Sequence, residues 1–230
     1  MPVGRLFTIL FRISAFWIPL FFLIVTAIPV FTGEDPFVIN ERTLKRAEEQ
    51  YGPDARKRLL DWQDLIQTEG GGNNAEKLEK ANRFLNKIPF IADSIHWGKD
   101  DYWATPIEFV ASDGGDCEDF AIAKYFTLIK LGIAENQLTL TYVKALRLNQ
   151  AHMVLTYYPA PGKEPLVLDN LIDTIEPSSK RTDLIPVYSF NGSGLWLAKQ
   201  RSKGKMVGDG SRLKRWQDLL DRMNEDEETP

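Results

Sequence analysis

The chain has 230 residues, with 28 Lys and Arg against 32 Asp and Glu, a formal charge of −4 and a pI near 5.4. That balance argues against a protein built mainly to hold nucleic-acid phosphates, while 43% hydrophobic and 26% charged residues suit a folded chain. A single Cys, Cys117, excludes an internal disulfide, and two His, His96 and His152, leave too few ligands for a Cys/His zinc cage, which needs about four.

Arg5 and Arg12 precede an uncharged run over 13–31, which ends at Thr32-Gly33-Glu34-Asp35. A basic start, an apolar stretch and a polar exit predict an export signal over 1–33. Pro19, Pro29 and the lack of a clean small-x-small site leave open an uncleaved anchor, since about 19 apolar residues can just span a bilayer. Export would place the lone thiol among oxidants, where a persistent free Cys is either deeply buried or present for its reactivity.

From 40 to 67 the apolar residues are spaced for one helical face, interrupted at Gly52-Pro53, and a second helical pattern over 75–86 follows the break at 70–74. Residues 97–115, with Trp97, Trp103 and Gly114-Gly115, read as an irregular, aromatic-rich approach. The run 116–131 predicts a central helix, apolar around most of its circumference and stopped at Gly132. Three β-rich runs, 138–146, 152–158 and 166–169, come next, with a Pro-Ala-Pro-Gly turn between the last two, and 186–190 offers a further strand. This order implies an α+β core in which an antiparallel sheet packs on the Cys117 helix. A domain over 34–200 is then followed by a tail, 201–230, with a basic patch near 199–205 and a short amphipathic helix at Leu213, Trp216, Leu219, Leu220 and Met223. The Asn191-Gly192-Ser193 string fits a glycan acceptor in form and a turn in context.

Cys117 opens the central helix, where unpaired N–H groups and the macrodipole favour a thiolate. Its neighbours Asp116, Glu118 and Asp119 oppose that charge unless a cation neutralises them. On spacing alone these acids cap the helix, with ligation of a hard cation as the alternative. His152 opens one strand and Asp169 closes the next. If the two strands are antiparallel neighbours, imidazole and carboxylate can pair, giving nucleophile, base and orienter in chain order. The Cys117 backbone N–H is a candidate oxyanion donor, with Trp103 or Tyr102 considered for the second. Trp97 and Trp103 are candidate cleft walls or plain core aromatics.

The strings Trp103-Ala104-Thr105-Pro106-Ile107-Glu108-Phe109, Gly115-Asp116-Cys117-Glu118-Asp119, the stretch 142–154 ending Ala151-His152-Met153-Val154, Leu168-Asp169-Asn170-Leu171 and Tyr188-Ser189-Phe190-Asn191 resemble the bacterial transglutaminase-like cysteine proteinases, in particular LapG-type periplasmic proteases, over about residues 40–200. The resemblance implies a papain/transglutaminase-like core with Cys117, His152 and Asp169 as the triad. It also implies calcium dependence, with Asp116, Glu118 and Asp119 as matching acidic positions, which turns the preference from capping to ligation. Its implied substrate is a large biofilm adhesin cut near its N-terminus at a dialanine site. Its implied partner is a LapD-type inner-membrane cyclic di-GMP receptor that sequesters the protease. Acyl transfer of the transglutaminase type and non-catalytic peptide binding are the competing functions; the acidic balance disfavours nucleic acid.

Overall fold

A computed structural model describes residues 37–197, 206–208 and 213–228. The expected export segment over 1–33 and the basic residues Lys199, Arg201, Lys203 and Lys205 lie outside these residues.

The periodicity over 40–67 resolves into α1 (Glu41–Tyr51) and α2 (Asp54–Glu69), divided where Gly52 takes a φ of 91° and Pro53 follows. Asn40 caps α1 by accepting the Thr43 amide, and α3 (Asn74–Leu85) opens on a capping box of Asn73 and Glu76. The stretch 97–115, expected to be irregular, is in part helical. After the single turn α4 (Asp93–His96) comes α5 (Pro106–Ser112), started by Pro106 and by a capping box of Thr105 and Glu108. The Thr-Pro-Ile-Glu string is a helix-start signal, but seven residues are too few to display a period.

The centre is α6 (Cys117–Lys130), with 10 of its 14 residues buried. Its Ala121, Ile122, Tyr125 and Leu128 pack towards the sheet, while Phe120 and Ala123 join a second cluster with α1, α2 and α5. The sheet comprises β1 (Leu138–Ala145), β2 (Gln150–Tyr157), β3 (Leu166–Leu168), β4 (Glu176–Pro177), β5 (Leu184–Asn191), β6 (Gly194–Leu197) and β7 (Met206–Gly208). All neighbours are antiparallel, in the order β4-β3-β2-β1-β5-β6-β7. The four predicted strands are β1, β2, β3 and β5; the other three have two to four residues, too short to show alternation. Asn191 is fully buried and donates to the Leu138 carbonyl at 3.0 Å, so the Asn-Gly-Ser string is a packed turn between β5 and β6.

The last helix, α7 (Lys214–Glu228), is docked into the core. Trp216 stacks on Phe126 with centroids 5.7 Å apart and meets Tyr125 and Phe190 edge-on. Arg222 reaches the Tyr102 hydroxyl, the Trp103 carbonyl and, at 2.6 Å, Glu108, and Arg215 pairs with Asp101 at 2.9 Å. No helix among the described residues is long and apolar enough to cross a membrane. Because Trp216 fills the core, Trp216→Ala is expected to cost about 3–5 kcal/mol in denaturant unfolding, whereas trimming a surface tail would change stability by less than about 0.5 kcal/mol.

Candidate active site

The approach to Cys117 is close-packed. A Cβ on Gly115 would lie 2.5 Å from Asp119 Oδ2 and 2.7 Å from the Phe109 ring, so only glycine fits. The Ile91 amide donates to the Gly115 carbonyl at 2.8 Å, which ties the segment leading into α4 to this turn. Asp116 and Asp119 form a capping box at the head of α6, and Asp119, completely buried, also accepts the Ala104 amide at 2.7 Å. Capping and cation ligation, posed as alternatives by the sequence, are therefore compatible: the same carboxylates that cap α6 also cluster.

On the facing sheet, β2 and β3 pair antiparallel with Leu155 opposite Leu168. Continuing that register sets Asp169 across from Val154, a diagonal step from His152. His152 is 2% exposed and its Nε2 lies 2.7 Å from Asp169 Oδ1. That bond engages Nε2 and leaves Nδ1 to exchange a proton. Asp169 is held further by the Leu171 amide on Oδ1 at 3.1 Å and by Arg181 Nη2 on Oδ2 at 2.7 Å. Burial alone would raise its carboxyl, but the bonds and charge from His152, Leu171 and Arg181 outweigh burial and bring it down to about 2. It is a fixed anion.

Cys117 is half-buried at the head of α6, which packs against β2, and the backbone of Met153, the residue after His152, acts to favour its thiolate. The thiol donates to Glu118 Oε2 at 2.7 Å, and Tyr142 donates to the other Glu118 oxygen at 3.0 Å. Burial, followed by the Glu118 and Asp116 charges, pushes the thiol well above its ordinary range, against the Met153 amide. The acids are perturbed likewise. Burial and then the Glu118, Asp119 and Asp93 charges raise Asp116 to about 9; burial chiefly, with Asp93 and Glu118, raises Asp119 to about 8.

Of the acidic positions expected from the sequence, Asp116 and Glu118 converge around Cys117, and Asp116 and Asp119 converge with a residue the sequence did not reveal, Asp93. One oxygen from each of Asp93, Asp116 and Asp119 lies within 4.8 Å of the others. Asp93 is 5% exposed and its Oδ1 has no hydrogen-bond partner. Buried, mutually repelling oxygen donors with an orphaned acceptor fit a hard divalent cation. The expected aromatic helpers are placed differently. Trp103 is buried and stacks on Phe190, the Tyr102 hydroxyl donates to Glu108 at 2.7 Å, and Trp97 packs among Tyr51, His96 and Tyr102. His96 pairs with Ser112 Oγ at 2.8 Å.

A sulfur at a helix head, an imidazole–carboxylate pair on adjoining strands and an α+β frame define the papain and transglutaminase class of cysteine enzymes. The family described as bacterial transglutaminase-like cysteine proteinase, BTLCP, matches residues 61–199. Among solved structures, Legionella pneumophila LapG in an EGTA-treated form is 48% identical with a TM-score of 0.71, covering 82% of this chain and 99% of that one. The calcium-bound form of the same protein is 46% identical with a TM-score of 0.68, covering 79% of this chain and 98% of that one. The comparison with curated proteins returns no match. The chain belongs to the bacterial transglutaminase-like cysteine proteinases and is a cysteine protease.

The raised acids fix a pH signature. Unfolded Asp titrates at ~3.9, so between about pH 4 and 7 the unfolded chain has released protons that Asp116 and Asp119 still hold, and stability falls as pH rises; above about 7 the buried Lys124 amine, brought down to about 7, gives up a proton the unfolded chain keeps and offsets part of the fall. Asp169, ionised throughout this window, adds no slope. In chelator, the free energy of unfolding in urea should decline across this range, and Asp116→Asn should flatten the decline.

Proposed function

We propose that the protein is a calcium-dependent periplasmic endopeptidase that cuts the N-terminal region of a large surface adhesin at a dialanine-type site, releasing the adhesin and promoting biofilm dispersal. The reading rests on the 2.7 Å His152–Asp169 bond on the sheet that packs against the Cys117 helix, in a chain 48% identical to LapG. Cys117 is the nucleophile, His152 the base and Asp169 the orienter. His152 Nδ1 takes the thiol proton, and the sulfur attacks the scissile carbonyl carbon. The Cys117 N–H, in the first turn of α6, faces the developing oxyanion. The imidazolium then gives its proton to the leaving amine as the C–N bond breaks, leaving a thioester. Water, deprotonated by His152, attacks the thioester, and the acid product departs with the thiol restored.

Asp93, Asp116, Glu118 and Asp119 would hold calcium, which when bound supplies positive charge against the carboxylates that disfavour the thiolate. The existence of LapG in EGTA-treated and calcium-bound forms supports that choice of cation. The segment over 1–33 supports export, with the chain anchored if the segment is retained. A LapD-type inner-membrane cyclic di-GMP receptor is the sequestering partner that the family resemblance supports.

Wild type and Cys117→Ala are incubated with an adhesin N-terminal fragment, in calcium and in chelator, and the products weighed by mass spectrometry. Two fragments with a new terminus at the dialanine are expected from wild type in calcium alone. Cleavage by Cys117→Ala or undiminished cleavage in chelator would sink the reading, and cross-linked products would replace hydrolysis by acyl transfer. By calorimetry in the Cys117→Ala background, Asp93→Asn should weaken calcium binding at least about tenfold; unchanged affinity removes Asp93 from the ligand set.

A further inference from the structure

Asp169 follows the last residue of β3, and what fixes its carboxylate comes from other elements. Arg181, between β4 and β5, is 5% exposed and donates Nη2 to Asp169 Oδ2 at 2.7 Å. The same guanidinium is braced from behind, with Nε on Asp183 Oδ1 at 3.0 Å and Nη2 on Asp183 Oδ2 at 2.9 Å. Asn86, which caps α3, donates to the Asp169 carbonyl at 2.9 Å and to Asp173 Oδ1 at 3.0 Å, and Asn82 of α3 donates to the Asp173 carbonyl at 2.8 Å. From the middle of α6, Lys124 is 1% exposed with no hydrogen-bond partner for Nζ, and burial, opposed by the Asp169 and Asp173 charges, brings its amine down to about 7.

A buried cation is costly unless it faces negative charge, and the Arg181 guanidinium faces the Asp169 carboxylate. Arg181 supplies both charge and direction, because its planar fork binds Asp169 on one side and Asp183 on the other. The terminal torsion of an Asp side chain is broad, so a carboxylate held at one oxygen can swing. With Oδ2 occupied by Arg181, Oδ1 has one place to be, and that place is the His152 ring.

We propose that Arg181 is a positioning residue of the active site, acting on Cys117 through Asp169 and His152 by fixing the plane of the Asp169 carboxylate. The proposal rests on the reading of Cys117, His152 and Asp169 as nucleophile, base and orienter. Losing the clamp frees the carboxylate, and the imidazole loses its fixed orientation towards the sulfur.

The sole Cys of the chain makes the test specific, because intact-mass measurement counts alkylation of Cys117 alone. The full chain in calcium-containing buffer is treated with iodoacetamide, with His152→Ala as reference and denaturation midpoints measured alongside. Arg181→Met should slow alkylation about 10- to 100-fold, at most the low end of the roughly 10²–10⁴-fold that a positioned base contributes, and Arg181→Lys should recover part of the loss. In an Asp169→Asn background, Arg181→Met should slow it no further, since both act along one path. A merely structural Arg181 would lower the midpoint and leave the alkylation rate of the folded protein alone. A wild-type rate in Arg181→Met, or an equal further loss on top of Asp169→Asn, overturns the proposal. Should Arg181→Met fail to fold, Asp183→Asn loosens the same guanidinium from behind, with an intermediate rate expected and a wild-type rate overturning. A wild-type rate in His152→Ala instead overturns the reading of the site on which the proposal stands.

Discussion

The constraint that shapes this molecule is negative charge gathered at the head of one buried helix. Asp116, Glu118 and Asp119 stand in the first turn of α6, and Asp93 arrives from α4 because Ile91 is bonded to Gly115. The helix dipole favours some of that charge, typically by less than about 1 kcal/mol per group, too little to keep Asp93, Asp116 and Asp119 ionised out of water. Much of the surrounding structure follows from managing the remainder. The Tyr102 amide donates to Asp93 and the Ala104 amide to Asp119, so the segment before α5 forms one wall of the cluster. That wall is held from outside by Arg215 and Arg222 of α7. The terminal helix thereby supports the site without touching the thiol.

A second carboxylate a short way across the site is treated in the opposite manner. Asp169 is as thoroughly buried as Asp119, yet Arg181 and His152 hold it well below the ordinary carboxylate range, while Asp119 rises to about 8. The difference is a cation: Asp169 has one built into the chain, and the α6 cluster does not. Environments that drive like groups apart in this way assign roles. A permanently ionised, rigidly bonded Asp can orient an imidazole at any working pH, whereas the cluster changes state with proton or metal-ion concentration.

How much of this was legible in the sequence depended on distance along the chain. Cys117 with its acids is a local string, and the alternation around His152 and Asp169, with a Pro-Gly turn between, was enough to infer the antiparallel pairing that joins them. Asp93 and Arg181 were not legible. Asp93 comes from the single turn α4 and Arg181 from the loop between β4 and β5, and neither lies at a helical or strand spacing from the residue it serves. Arg181 sits in a Ser-Ser-Lys-Arg-Thr-Asp string that reads as a solvated turn. Lys124 was hidden in a helix read as apolar, because a single Lys does not disturb the pattern even when it is buried. The docking of α7 was likewise ambiguous, since an amphipathic stripe tells that a face is covered but not by what.

The sulfur itself lies between these two treatments of charge. Its hydrogen bond goes to Glu118, so the carboxylate and the imidazole compete for one proton. A unit charge about 4 Å away at an effective dielectric of about 20 is worth roughly 4 kcal/mol, or about a thousandfold in the thiolate fraction. That is comparable to the whole contribution of a well-placed general base, about 10²–10⁴-fold. Orientation of His152 by Asp169 and Arg181 is therefore necessary but insufficient while the Glu118 carboxylate accepts the thiol proton with no cation to offset it. Since the thiolate is the nucleophile, the reactivity of Cys117 is set jointly by a base that the fold has already positioned and by a charge balance that the fold alone leaves open.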